Sequence, residues 1–245
     1  MPNPSNKLNI NEPPALPLVA ASILSADFGK MADDCAEVLA IGADLLHIDV
    51  MDGHFVNNLT MGSDMIRALR HHFPDTFLDV HLMVEKPGDY VDSFAKAGAD
   101  LFSFHLEVCD AHTGPSPSPR LESANRIDAG QLIERIQDAG MHPAMVVNPA
   151  TPIEPLEPYL DALSLVLVMS VVPGRSGQAF MPQVLEKTHW LKDRVASHTR
   201  IEMDGGINPD TAPAAVAAGA DVLVTASALF GSDDRAGVID RLHAS

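Results

Sequence analysis

The stretch Gly42-Ala43-Asp44-Leu45-Leu46-His47-Ile48-Asp49-Val50-Met51-Asp52-Gly53 reads as a helix end running straight into a strand. A glycine after a helical segment closes it in the left-handed conformation, and the chain can extend at once. Along the strand, side chains alternate between faces. Leu46, Ile48 and Val50 take one face, and His47, Asp49 and Met51 the other. A buried strand that aims an imidazole and a carboxylate the same way needs compensation, because unpaired buried charge is costly. Two compensations suit the pair: a mutual hydrogen bond in a polar core, or a divalent cation that both groups ligate.

The same punctuation returns at Gly98-Ala99-Asp100 and Gly219-Ala220-Asp221, each after an Ala-rich helical stretch and before an apolar run. Strand-like runs fall at 18–24, 44–49, 77–84, 100–105, 142–147, 163–169, 199–204 and 221–225. Helix-like segments lie between and after them, at 28–41, 64–72, 87–97, 128–139, 153–160, 182–196, 209–218 and 233–242. Strand–helix alternation implies parallel strands with right-handed crossovers. Eight such units in 245 residues imply a single α/β domain over 17–245, a closed (β/α)8 TIM barrel. Residues 1–16, with Pro2, Pro4, Pro13 and Pro14, read as a disordered tail dispensable for chemistry. The segment 107–128, with Pro115, Pro117 and Pro119, reads as a loop inserted after the fourth barrel strand, on the C-terminal face.

Sixteen basic residues stand against 33 acidic ones, a net charge of −17 that argues against nucleic acid or an anionic membrane as partner. A small anion remains admissible if backbone N–H groups hold it locally. No apolar run reaches membrane-spanning length and no signal-peptide pattern opens the chain, while two isolated cysteines, Cys35 and Cys109, build no disulfide framework. The expectation is a reduced, cytoplasmic protein.

Barrel active sites form at the C-terminal ends of the strands. There the polar residues are few. Besides His47 and Asp49, the run Leu78-Asp79-Val80-His81-Leu82-Met83 turns Asp79, His81 and Met83 inward, and the later strands offer Ser103, His105, Glu202 and Asp204. His47, Asp49, His81 and Asp204 then share one rim, where each would otherwise need its own hydrogen-bond partner. Met51, Met83 and Met169 read equally as barrel filling and as an apolar wall to the site. Opposite them lies an anion end: Gly174-Arg175-Ser176-Gly177 after the sixth barrel strand, Gly205-Gly206 after the seventh, and Ala226-Ser227 after the eighth. Barrels commonly hold phosphate in the last two of these loops.

Ser22-Ile23-Leu24-Ser25-Ala26-Asp27, the 47–56 stretch with Asn58, Asp79-Val80-His81-Leu82-Met83-Val84, Asn148-Pro149-Ala150-Thr151-Pro152, Met169-Ser170, Gln178 with Phe180, and Met203-Asp204-Gly205-Gly206 together resemble the ribulose-phosphate 3-epimerase family, in order, from Val19 onward. The resemblance implies a (β/α)8 barrel with one divalent metal ion (Zn²⁺, Fe²⁺, Mn²⁺ or Co²⁺). It implies an isomerase of the pentose phosphate pathway that interconverts D-ribulose 5-phosphate and D-xylulose 5-phosphate through an enediolate. It makes His47, Asp49, His81 and Asp204 the metal ligands, Asp49 and Asp204 the acid/base pair, and Ser22 a substrate contact. The methionines and the three anion-end loops complete the expected substrate-binding set.

The sequence departs from the family pattern at Ala21, Asn57, Val172, Arg175, Ser176 and Ala226, mostly at the phosphate end. Side chains at Ser176 and Ala226 are expected to crowd a backbone that needs positive φ, with Arg175 compensating as a phosphate ligand. Two alternatives stand beside the pentulose reading: a 3-epimerase of a hexulose 6-phosphate (allulose-6-phosphate type), and a sugar-phosphate lyase on the same barrel. The partner expected is a small phosphorylated ketose; the sequence leaves a homo-oligomer open.

Overall fold

The computed structural model describes residues 7–112 and 126–245. Its elements, in chain order, are β1 (Leu18–Ser22), α1 (Met31–Ala40), β2 (Leu45–Asp52), β3 (Leu59–Thr60), α2 (Ser63–His72), β4 (Phe77–Met83), α3 (Val91–Ala97), β5 (Leu101–His105) and α4 (Ala129–Asp138). They continue with β6 (His142–Val147), β7 (Leu165–Met169), α5 (Leu185–Lys192), β8 (Arg200–Asp204), α6 (Ala212–Ala218), β9 (Val222–Thr225), α7 (Ser227–Phe230) and α8 (Arg235–His243). The strands run β1-β9-β8-β7-β6-β5-β4-β2, and β1 pairs with β2 to close the ring. This is the expected eight-stranded parallel barrel. The short β3, which sequence patterning passes over, folds back antiparallel on the end of β2.

The three Gly-Ala-Asp copies perform one task. Gly42, Gly98 and Gly219 are left-handed, with φ of 111°, 97° and 116°. Each following aspartate then grips the strand before its own. The Asp44 amide donates to Val19 O while its Oδ2 accepts from Val19 N at 2.7 Å. Asp100 clasps Leu78 likewise, with Oδ2 at 2.8 Å from the amide, and Asp221 clasps Ile201 at 2.9 Å. The punctuation is thus also a clamp between neighbouring strands at the barrel's N-terminal face.

Between β6 and β7 the expected helix at 153–160 is instead a 3-10 run, Glu154–Ala162, with Pro158 inside it. Proline supplies no amide for the α-helical bond, so the run does not settle into an α-helix. No helix among the described residues is long and apolar enough to cross a membrane.

Two boundaries need correction. Residues 7–16, expected in a disordered tail, are anchored to the barrel. Ile10 is fully buried against Leu18, Leu45, Phe77, Leu101 and Leu165 at the barrel's lower end. Asn11 donates to His198 O at 2.7 Å, and Lys7 pairs with Asp100 at 2.5 Å. The expected insertion at 107–128 begins too early, since Glu107 is 1% exposed and belongs to the interior. Cys109 and Ile127 bridge the base of that loop, and 113–125 lie outside the described residues.

Ile10→Ala is therefore expected to cost about 2–5 kcal/mol, the range for truncating a large buried aliphatic side chain. Urea titration should show a lower midpoint at unchanged slope.

Candidate active site and metal centre

Register assembles the site. In the β2–β4 ladder His47 lies opposite Asp79 and Asp49 opposite His81. Ser22 lies opposite His47 across β1–β2, and Met169 opposite Asp204 across β7–β8. Ser22 Oγ donates to Asp49 Oδ2 at 2.7 Å, and Asp49 Oδ1 stands 3.1 Å from His81 Nδ1 and 3.5 Å from His47 Nε2. One donor atom from each of His47, Asp49, His81 and Asp204 fits a cluster in which all lie within 4.8 Å of one another.

The local chemistry suits a cation there. Asp79 Oδ2 sits 2.5 Å from His47 Nδ1. Because a carboxylate only accepts, that contact places a proton on Nδ1 and turns Nε2 toward Asp49. Nε2 is buried and has no hydrogen-bond partner among the described residues. Burial opposes charge on His47, but Asp79 and then Asp49 outweigh it and hold its pKa well above the ordinary value. Any proton on Nε2 is what an incoming cation replaces. The cluster is compatible with a single divalent metal ion.

The two aspartates differ. Burial opposes ionisation of Asp49, yet His47 and His81 outweigh it and hold the carboxyl well below the usual range. Asp204 is pushed up to about 7, by burial first and then by the Asp49 charge. His81 goes the other way, to about 4, because burial outweighs the attraction of the Asp49 carboxylate 3.1 Å away.

Behind the cluster lies a second tier of polar groups. Glu202 Oε1 is 3.8 Å from His47 Nδ1, and burial, then Asp79, raises its pKa well above the carboxylate range. His105 Nε2 meets His81 Nε2 at 2.9 Å, and His105 Nδ1 meets Glu107 Oε2 at 3.1 Å. Asp79, His105 and Glu202 were visible in the sequence as inward polar residues, but only register reveals whom they serve. Glu107 carried the same signal of a polar residue beside a strand end and was obscured by the Pro-rich segment after it.

Above the cluster opens a cavity of about 150 Å³. Its lining includes Asp49, Asp204, Ser22, Met51, Met83 and Met169, and also Gly174, Arg175, Ser176, Gly177, Gly205, Gly206, Ala226 and Ser227. His47 and His81 stand behind this wall rather than in it. Gln178 and Asn208 also border it. The Gln178 amide braces the loop after β7, donating to Val172 O at 2.7 Å and Arg175 O at 2.9 Å. Asn58 beside β3 ties that loop down by donating to Gly174 O at 3.0 Å.

The expectation that Ser176 and Ala226 stand where the backbone needs positive φ does not hold. Ala226 has φ of −123°, and Met61 is the one non-glycine residue with positive φ among the described residues. Positive φ falls on Gly174, Gly177, Gly205 and Gly206. Gly206 also lacks room: a Cβ there would lie 2.5 Å from the Phe180 amide nitrogen.

Fold and site together define a (β/α)8 enzyme with a His/Asp cluster, able to hold a metal, beneath a small polar-rimmed cavity. Residues 18–230 match the model of the ribulose-phosphate 3 epimerase family. The cytoplasmic isoform of ribulose-phosphate 3-epimerase from Oryza sativa subsp. japonica is 42% identical, covering 93% of each chain. Ribulose-phosphate 3-epimerase from Bacillus subtilis (strain 168) is also 42% identical, covering 93% of this chain and 98% of its own. Among solved structures, 3-hexulose-6-phosphate synthase from Salmonella typhimurium superposes with a TM-score of 0.64 at 16% identity, covering 93% of this chain and 97% of its own, a likeness of fold. The chain belongs to the ribulose-phosphate 3-epimerase family. It is an isomerase, an epimerase.

Asp79→Asn tests the orientation of His47. An amide can donate to Nδ1 and so move the ring proton to Nε2. Affinity for a divalent ion, read by chelator competition, is expected to fall about 10- to 100-fold.

Proposed function

We propose that the chain interconverts D-ribulose 5-phosphate and D-xylulose 5-phosphate, with Asp49 and Asp204 exchanging the proton at carbon 3 on opposite faces. The observation that carries this reading is that Asp49 at β2 and Asp204 at β8 both line one cavity and belong to one His/Asp cluster. Removing a proton next to a carbonyl and returning one to the other face requires a base and an acid at once. Two carboxyls that reach one cavity from different strands can supply both. Ser22, bonded to Asp49, orients that carboxylate, and the three methionines exclude water around an enediolate. A divalent cation, when bound, contributes Lewis-acid stabilisation of negative charge on the substrate oxygens. His47, Asp49, His81 and Asp204 would hold it, and mixed nitrogen and oxygen donors suit Zn²⁺, Fe²⁺, Mn²⁺ or Co²⁺.

The phosphate is assigned to the rim formed by Gly177, Gly205, Gly206, Ala226, Ser227 and Arg175. Arg175 is exposed at that rim, and its guanidinium forms no ion pair among the described residues, which leaves its paired donors available to a phosphate. A cytoplasmic setting agrees with the likeness to a cytoplasmic isoform and with two buried, unbridged cysteines. The hexulose and lyase alternatives gain nothing beyond fold-level likeness.

Asp49→Asn and Asp204→Asn are each expected to reduce epimerisation by at least about 10²-fold. With substrate in D₂O, a variant that still exchanges solvent deuterium at carbon 3 from one epimer only identifies the face its remaining base serves. Unimpaired turnover by either variant contradicts the two-base reading. Arg175→Ala is expected to raise KM for ribulose 5-phosphate far more than it lowers kcat, since the phosphate is remote from the reacting carbon.

A further inference from the structure

A line of buried hydrogen bonds leaves the cluster and ends at a backbone amide. His81 Nε2 meets His105 Nε2 at 2.9 Å, His105 Nδ1 meets Glu107 Oε2 at 3.1 Å, and Glu107 Oε1 accepts from Asn148 N at 2.9 Å. His81 and His105 are fully buried, with ring centroids 5.0 Å apart. Glu107 is 1% exposed, so water does not interrupt the line.

Each link has a direction, and the far end sets it. An amide N–H can only donate, so Glu107 Oε1 must accept. Burial opposes charge on Glu107, but its bonds to His105, Thr151 and the Asn148 amide outweigh burial and keep it a carboxylate. Lys187 holds the same corner, donating to the carbonyls of Asn148, Pro149 and Thr151 at 2.6, 2.9 and 2.6 Å. A carboxylate facing His105 Nδ1 requires the proton there. In the neutral ring Nε2 is then a lone pair, so the proton between the two imidazoles belongs to His81 Nε2. That leaves His81 Nδ1 as a lone pair 3.1 Å from Asp49 Oδ1. Two acceptors that close repel unless a cation joins them.

We propose that Glu107 is a positioning residue for the metal centre: through His105 it fixes the tautomer of His81, so that Nδ1 is presented to a cation. Glu107 does this without touching a ligand, from the loop beyond β5. The inference rests on the reading of His81 as a ligand, and the test separates the two.

Co²⁺ is titrated into metal-free wild type, Glu107→Gln and His81→Ala, with affinity read by chelator competition and the ligand set by visible absorption. In Glu107→Gln the amide oxygen stays on the Asn148 N–H and its NH₂ group turns to His105 Nδ1. The bond from there to His105 and the bond from His105 to His81 then both reverse, and a proton arrives on His81 Nδ1. Co²⁺ affinity is expected to fall about 10- to 100-fold, with the far-UV circular dichroism of the wild type retained. Wild-type affinity in Glu107→Gln, with binding lost in His81→Ala, overturns the positioning role alone. Wild-type affinity in His81→Ala overturns the ligand assignment beneath it. A second measurement needs no substitution: nitrogen NMR of the imidazoles in Zn²⁺-loaded wild type should place protons on His105 Nδ1 and His81 Nε2. A proton on His105 Nε2 overturns the proposal.

Discussion

The Asp49 carboxylate is the point on which three side chains converge: Ser22 donates to one oxygen at 2.7 Å, while His81 and His47 face the other at 3.1 and 3.5 Å. An ionised carboxyl in a barrel interior is tolerable only when such partners surround it. Those partners are themselves buried and polar, so each needs support in turn. Asp79 steadies His47, and His105 with Glu107 steadies His81. The polar tier behind the cavity is therefore the consequence of placing one charge in the barrel interior. Asp204 shows the opposite solution, with its charge suppressed by burial and by Asp49.

This dependence explains which parts of the molecule were legible in the sequence. Eight strands and their inward residues follow from a period of two, and the alternation with helices fixes a parallel barrel. The four cluster residues stood out because imidazole and carboxylate are conspicuous on an apolar strand. Their supports did not, because a hydrogen bond between His47 and Asp79 depends on the register of strands some thirty residues apart, which no local pattern encodes. Composition misled at the N-terminus, where proline-rich surroundings concealed that Ile10 is buried and that Asn11 and Lys7 bind the barrel as well. It misled again at Glu107, a core carboxylate written next to a loop.

The departures at the phosphate end read differently once the backbone is known. At this rim positive φ falls on Gly174, Gly177, Gly205 and Gly206, so Ser176 and Ala226 stand where positive φ is not required. Gln178 and Asn58 hold the loop of this rim through its backbone carbonyls.

The aspartate clamps at Val19–Asp44, Leu78–Asp100 and Ile201–Asp221 bear on a quantity that hydrophobic patterning cannot set. Slipping a strand by one residue inverts its faces and is forbidden by burial, but slipping it by two restores the alternation and leaves the core apolar. The shear number of a closed barrel, and with it strand tilt and bore, depends on such two-residue steps. A side chain that recognises one particular neighbouring amide distinguishes them. In this chain the bore is thus gauged at the face opposite the chemistry, which leaves the loops of the catalytic mouth free to diverge without altering the cylinder beneath them.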